Sequence, residues 1–268
     1  MGHDFFVASA VAVAVWMALG CLASFASRRG DAADPWWAKG LGLLGWWGVV
    51  NVAAGLPAGA SGAGIAQAAF AALPAALLIV SSLRLLVHLV RRFPAQEDFR
   101  YADWRRDWGR AYVWRAPLQI WALQGVLLWT AALPVTAGAP AVWEGWYLWA
   151  GIAGASVWLC GFVFETVADR QLTRFRADPA NKGKLLTAGL WAWSRHPNYF
   201  GEAVTWWGIG IAALPAGIIP ALVSPIFMTL LLRFVSGVPM LERAWAARPG
   251  FADWARRTNA FFPWFPRR

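Results

Sequence analysis

The placement of lysine and arginine constrains this chain more than any other feature of its sequence. Seven apolar runs, near residues 5–26, 37–57, 64–90, 116–137, 143–167, 200–215 and 217–235, are separated by polar connections. Of the 24 Lys and Arg residues, three lie in 28–39, seven in 91–115, six in 170–195 and seven in 233–268. The connections near 58–63, 138–142 and 216 carry none. A helix crosses a bilayer with roughly 17–25 apolar residues, and basic loops stay on the cytoplasmic side. The alternation therefore predicts an all-α, polytopic membrane protein with seven transmembrane helices, the N-terminus outside and the C-terminus cytoplasmic. An even number of spans would break it.

Composition points the same way. Hydrophobic residues make up 59% of the chain and charged residues only 14%, whereas soluble domains carry about a quarter charged residues. The 21 tryptophans suit the headgroup interface, where indole rings concentrate. The net charge of +10 is accounted for by topology and by contact with anionic lipid heads, so membrane lipids and not nucleic acid are the expected partners. Cys21 and Cys160 both sit in apolar runs, which suits neither a disulfide framework nor a metal site. The first 25 residues lack the basic start of a cleaved signal peptide and read as the first span. Residues 1–268 form a single integral membrane domain on this reading. The segments 91–115, 168–199 and 236–268 mix Arg, Trp and Pro and are expected to form short helices that cap the bundle.

One basic residue remains, Arg84, inside the third run, with His88 four positions later. Glu165 and Asp169 repeat that spacing at the end of the fifth run, and Asn198 and Glu202 repeat it at the start of the sixth. Positions i and i+4 share a helical face. Charges at membrane depth cost at least a few kcal/mol each, so they pair or face a cavity. A structural ion pair of Arg84 with Glu165 or Glu202 is one reading. A polar cavity open to the cytoplasm is the other, because three runs bring such groups to one side.

The stretch "WSRHPNYFGE" (193–202) opens the sixth run. Pro197 suits the first turn of a helix. That helix would begin at the cytoplasmic face, presenting its free N–H groups and positive dipole end, an arrangement that attracts phosphate. Arg195 and His196, with Arg174, Arg176 and Lys184 upstream, would add charge-assisted donors. Asn198 and Glu202, one turn apart and deeper, are placed to hydrogen-bond a carboxamide or a ribose. Snorkelling anchors at the headgroups would look similar. The one GxGxxG string, GLGLLG at 40–45, lies inside the second apolar run and not in a strand–turn–helix fingerprint, and no Walker or HExxH motif and no Cys-rich spacing occurs, so a dinucleotide would be held by a membrane fold, without a metal.

Three runs carry a family resemblance: "FETVADRQLTRFRADPANKGKLLTAGLWAWSRHPNYFGE" (164–202), "SGVPMLERAW" (236–245) and "PGFADWARRTNAFFPWFP" (249–266). They closely resemble the bacterial domain-of-unknown-function branch of the steroid 5α-reductase family, and "SLRLLVHLVRR" with "EDFRYADWRRDWG" extends the likeness over about 80–268. The resemblance implies a seven-helix reductase of the bacterial inner membrane that binds NADPH in a cytoplasm-facing cavity. The family's cofactor positions are matched by Asp169, Arg176, Lys184, Asn198 and Arg233, with Glu202 one turn after the Asn and Arg84 in the same cavity. With Glu165, Arg174, Ser194, Arg195, His196 and Tyr199 these make up the expected cofactor set.

The substrate side departs from that pattern. The second run lacks the family's Gln–Glu pair, and Ser81 or Ser82 stands near its third-span Tyr position. Reducing a conjugated C=C bond takes a hydride, a donor for the developing oxyanion and a proton. His88 is the first candidate donor, followed by Arg84 and Tyr112, while Asn198 and Glu202 would orient the nicotinamide. The apolar bundle suits a hydrophobic small-molecule or lipid substrate, such as a sterol-like or isoprenoid enone or a fatty-acyl derivative. The "RHPNY" core is similar to one in isoprenylcysteine carboxyl methyltransferase-like enzymes. An S-adenosylmethionine-dependent methyltransferase and a non-catalytic lipid-binding protein are therefore the alternatives.

Overall fold

A computed structural model describes residues 2–93, 96–136 and 145–267. The described residues form helices and turns, with one isolated parallel bridge between Ser194 and Asn259. Helix α1 runs Gly2–Ser27, α2 Ala33–Ala54, α3 Gly62–Ala71, α4 Leu73–Arg91 and α5 Phe99–Trp108. A continuous helical run follows, α6 Tyr112–Arg115, a π-helical segment Ala116–Ala122 and α7 Leu123–Ala131, then the short α8 Leu133–Thr136. After residue 145 come α9 Trp146–Ala177, α10 Pro197–Ala212, α11 Ile218–Leu230, a π-helical segment Leu231–Val235, α12 Val238–Trp245 and α13 Phe251–Arg257. Among the described residues, four helical stretches are long and apolar enough to cross a membrane: Asp4–Ser27, Leu73–Arg91, Trp146–Ala177 and Ile218–Trp245.

Two expected boundaries are corrected. The run 64–90 is divided into α3 and α4, because Pro74 has no N–H to continue the ladder. The fifth helix passes the expected end at 167 and continues to Ala177. Its last ten residues are polar but contain no proline or glycine to stop them, so the helix ends only at Asp178–Pro179. The expected connection at 138–142 and the start of the fifth run at 143 lie outside the described residues. Short helices form as expected in 91–115, as α5, and in 236–268, as α12 and α13, whereas 168–199 forms the end of α9, the start of α10 and only two single 3-10 turns, Pro179–Asn181 and Gly189–Ala192. The turn at Pro215–Gly217 forms as the sequence suggests, with Gly217 at φ +130°, a conformation that glycine adopts without strain.

The central contact is between α9 and α10, which pack antiparallel along their length. Glycines spaced by seven on each helix, Gly154 and Gly161 on α9 and Gly201 and Gly208 on α10, make this approach possible. A Cβ on Gly201 would lie 2.6 Å from the Glu165 backbone nitrogen. Similar atoms on Gly161, Gly154 and Gly208 would overlap the backbones of Thr205, Ala212 and Trp158. Small residues let helix backbones meet directly where lipid supplies no hydrophobic drive. Around this pair, α4 packs on both α9 and α10, α2 on α4, and α11 on α10 and α7. The main buried core joins Met17 of α1, Leu41 of α2, Leu78 of α4, Trp121 of the π-helical segment, Trp206 of α10 and Met228 of α11.

Gly161→Val should therefore lower the melting temperature of the detergent-solubilised protein by several degrees or prevent folding, since overpacking costs about 1–3 kcal/mol. Gly62→Ala, at a position with open space around it, is the control. Equal melting curves for the two would show that the α9–α10 approach is not a packing constraint.

Candidate functional site

The glycine contact sets the last turns of α9 against the first turn of α10, and α4 closes the third side. Arg84 on α4 bridges two carboxylates from successive turns of α9. Its Nη1 donates to Glu165 Oε1 at 2.5 Å and its Nη2 to Asp169 Oδ2. Asn198 Nδ2 donates to the other oxygen, Asp169 Oδ1, at 3.1 Å. Glu202, one turn after Asn198, lies within electrostatic reach of Arg84 and Asp169. Two carboxylates thus share one guanidinium, with a third carboxyl group, Glu202, nearby. Asn198 Oδ1 is buried with no hydrogen-bond partner, so the junction holds a spare acceptor.

His88 sits at the edge of this junction. Its Nδ1 is 3.6 Å from Asp169 Oδ2 and its Nε2 2.9 Å from Arg92 Nη1. A guanidinium can only donate, so Nε2 accepts and the proton is on Nδ1, facing Asp169. Arg84, His88 and Arg92 extend the i, i+4 series by one more turn. That spacing could have revealed Arg92, which the sequence reading left out.

The "WSRH" residues serve a second arrangement. Arg195 Nε donates to Glu242 Oε1 at 2.7 Å, and its Nη1 donates to the carbonyls of Ala255, at 2.8 Å, and Thr258. Ser194 Oγ donates to the Phe261 carbonyl at 2.8 Å and accepts from the His196 N–H at 3.1 Å. The Arg195 N–H donates to the Asn259 carbonyl at 2.9 Å. His196 is fully buried and stacks on Trp245, with centroids 5.2 Å apart, and on Tyr199 at 5.6 Å. Its nearest acceptor, Glu242 Oε1, stands 3.4 Å from Nε2. Burial pushes the imidazole pKa below its ordinary value, against the pull of Glu242, so His196 enters the stack neutral. Ser194, Arg195 and His196 accordingly clamp the C-terminal segment to the start of α10. Glu242 and Trp245, three apart on α12, completed this clamp without being foreseen. Their signal was the "LERAW" spacing, which puts both on one face.

Two adjoining clefts open over these arrangements. The larger, about 870 Å³, is lined by Asn198 and Tyr199, by the cations Arg92, Arg100, Arg176, Arg243 and Arg248, and by the carboxylates Asp31, Asp34 and Asp98, two of which pair with Arg100. The smaller, about 320 Å³, lies under the turn 178–184 and adds Lys182 and Lys184. Arg176, Trp191, Trp245 and Arg248 belong to both. Arg174 is exposed and lines neither. Arg233 lies in the π-helical segment, 5.0 Å from the Phe234 ring, and its charge reaches His196.

Tyr112 stands apart from the junction. It is buried in a staple that ties the segment after α4 to the connection between α1 and α2. Arg105 lies 4.4 Å over its ring, and Arg105 Nη2 donates to its hydroxyl at 3.4 Å. Burial raises the phenol pKa, which keeps it protonated. In the same staple, Asp31 pairs with Arg29 at 2.8 Å and accepts the Asp98 N–H at 3.0 Å. Burial works against its ionisation, but these two donors together hold its pKa below the usual carboxylate range.

The fold and site define an all-helical, membrane-type protein with a charged junction beneath a cationic cleft. The chain belongs to the family described as protein of unknown function (DUF1295), which matches residues 22–258. It is also 39% identical over 66 residues to a probable O-methyltransferase, ustE, of Ustilaginoidea virens. That match covers 25% of this chain and 22% of the relative's length. No solved structure matches.

Removing Arg84 would leave Glu165 and Asp169 facing each other without a cation. Arg84→Met should cost about 3–5 kcal/mol of stability, the usual penalty for orphaning a buried charge. Arg84→Lys should recover only part of it, because one ammonium lacks the planar fork that serves two carboxylates. Denaturant unfolding of the two variants tests this, and wild-type stability in Arg84→Met would refute the bridging role.

Proposed function

We propose that this protein is a membrane-embedded, NADPH-dependent reductase. Its reaction would reduce a C=C bond conjugated to a carbonyl in a hydrophobic substrate, steroid-like, isoprenoid or another lipid. The cleft would open to the cytoplasm from seven spans, with the N-terminus outside, in a bacterial inner membrane. The observation that carries the reading is the cleft's polarity. A buried amide oxygen, Asn198 Oδ1, is unpaired at its inner end, and seven cationic side chains against four carboxylates line the two clefts outward.

A dinucleotide suits this arrangement because its phosphates are distant from its carboxamide. Arg92, Arg176, Arg243 and Arg248 would hold the phosphates, and Asn198 Oδ1 would accept from the carboxamide. Asp169 orients Asn198, and Arg84 in turn fixes Asp169. Bound NADPH would supply the hydride. We assign His88 to Asp169, whose orientation it shares with Arg84, and leave Arg84 and Glu202 as the ionisable groups closest to the reacting end. Ser194, Arg195 and His196 would shape the cleft wall without touching a phosphate themselves. Tyr112 would hold the cytoplasmic staple. An apolar groove of about 710 Å³ between α1 and α7, lined by Met17, Cys21, Trp121 and Trp129, would offer a hydrophobic molecule an approach from the bilayer.

The similarity to the Ustilaginoidea virens protein favours a second reading, methyl transfer from S-adenosylmethionine. That cofactor carries a single carboxylate and a cationic sulfonium, and it leaves most of the seven cations without an anionic ligand group. Thermal stabilisation of the purified protein separates the readings, since a ligand at 100 times its Kd adds about 2.7 kcal/mol. NADPH should raise the melting temperature and S-adenosylmethionine should not. Asn198→Ala should weaken NADPH binding about tenfold, in line with the loss of a buried hydrogen bond. Stabilisation by S-adenosylmethionine alone would overturn the reductase reading, and stabilisation by neither would favour a lipid-binding role.

A further inference from the structure

The apolar groove between α1 and α7 lies apart from the charged junction, and none of its residues lines either cleft. No charged side chain lines it, and the Trp129 indole N–H in its wall is spent on Ser9 Oγ at 2.9 Å. Its two sides run antiparallel. Trp129 packs on Phe6 with centroids 4.7 Å apart, a Cβ on Gly125 would meet Met17, and one on Gly20 would meet Trp121. Leu22 and Pro117 therefore stand at the same end of the groove. From Ala10 to Leu22 it follows about 18 Å of helix, at about 1.5 Å per residue. One leaflet supplies about 15 Å of hydrocarbon, half of a core about 30 Å thick. The groove is as long as one leaflet is deep.

The end at Leu22 and Pro117 is the basic one. Arg28 follows Leu22 by six residues, and Arg115 precedes Pro117 by two. Arg105 Nη2 joins the two chain segments there, donating to the Arg28 carbonyl at 3.3 Å and to the Tyr112 hydroxyl at 3.4 Å. Neighbouring cations are matched: Arg29 with Asp31, Arg100 with Asp34, Arg105 with Glu97 and Arg106 with Asp103. Arg28 and Arg115 pair with no carboxylate among the described residues. Arg115 Nε is buried without a hydrogen-bond partner, and the guanidinium lies 5.3 Å from the Trp114 ring and 5.9 Å from the Trp108 ring. A partly desolvated cation is costly without an anion.

We propose that the groove and its basic end bind one anionic phospholipid, with an acyl chain along the groove and the phosphate at Arg28 and Arg115. Basic pockets beside transmembrane helices hold such headgroups, and a phosphate oxygen is a strong acceptor for guanidinium donors. The two halves of the site demand one molecule with both properties. A free phosphate would serve the cations and leave the groove unfilled. An uncharged chain would fill the groove and leave the cations unmatched. The site does not depend on the reductase reading, because it shares no residue with the junction or the clefts. Another hydrophobic molecule would enter the groove by displacing this lipid.

Native mass spectrometry of the full-length protein, titrated in detergent with dioleoyl phosphatidylglycerol or dioleoyl phosphatidylcholine, tests the site. One phosphatidylglycerol should be retained per chain, and more tightly than phosphatidylcholine by about fivefold per cation. Arg28→Gln combined with Arg115→Gln should abolish that preference. Arg115→Lys should keep most of it, since an ammonium still meets a phosphate as a point charge. Ala14→Trp, at an exposed position in the groove, should weaken both lipids several-fold by filling the space for the chain. If the double variant does not fold, Arg28→Gln alone, at an exposed position, carries the test and should lower the preference about fivefold. Equal retention of the two lipids by the wild-type protein, or an unaltered preference in these Gln variants, would overturn the proposal. Displacement of the lipid by sn-glycerol 3-phosphate would reduce the site to one for phosphate alone. A dimer whose formation expels the lipid would assign the groove to a second copy of the chain, and either result would also overturn it.

Discussion

Arg84 holds Glu165 and Asp169 from successive turns of α9, and the rest of the site follows from that contact. Burying ionised groups is costly unless each finds a partner, and here one planar guanidinium serves two carboxylates at once. Asn198 joins this bridge because α9 and α10 meet backbone to backbone. Gly161 and Gly201 admit that approach, which brings Asn198 to the free oxygen of Asp169. Packing, charge pairing and the exposed cleft are therefore one construction. The small residues position the helices, the helices position the charges, and the charges leave one amide oxygen unpaired at the base of the cleft.

The C-terminal segment completes it from outside. Beyond α12 the chain turns back, and its carbonyls at Ala255, Thr258 and Phe261 are taken up by Arg195 and Ser194. Buried backbone acceptors need such donors, and the residues that start α10 supply them. Phe261 then packs against Phe200 on α10, while Trp245 and Trp254 form the floor of the smaller cleft. A polar stretch at the mouth of an apolar helix is explained by this double demand: the carbonyls of the returning chain on one side and the cleft on the other.

Much of the fold was legible in the sequence because its signals are periodic. Apolar runs and alternating basic segments placed nearly every long helix, and the i, i+4 pairs on three of them anticipated the Arg84 junction. Helix ends were less legible. Residues 168–177 are polar yet helical, since polarity marks solvent and only Asp178–Pro179 marks a stop. Arg195 and His196 show the deeper limit. A run of cations before a helix reads as an anion site, and nothing local reveals that Glu242 and three distant carbonyls claim those groups first. Arg248, Trp245 and Trp254 reach the cleft from 54 to 70 residues beyond Lys184 or Trp191 through a chain reversal, so no spacing rule could have joined them. The tryptophan count suggested a lipid belt, and three of those residues instead floor a cleft.

On the proposed reading, the Arg84 junction and the cleft above it form one binding site for NADPH. Hydrogen–deuterium exchange of the protein in nanodiscs, with and without saturating NADPH, tests this. Slower exchange is expected at 169–191, at the first turn of α10 and across 240–248, with α1 and α7 unchanged. Protection confined to α1 and α7, or none at the start of α10, would contradict it.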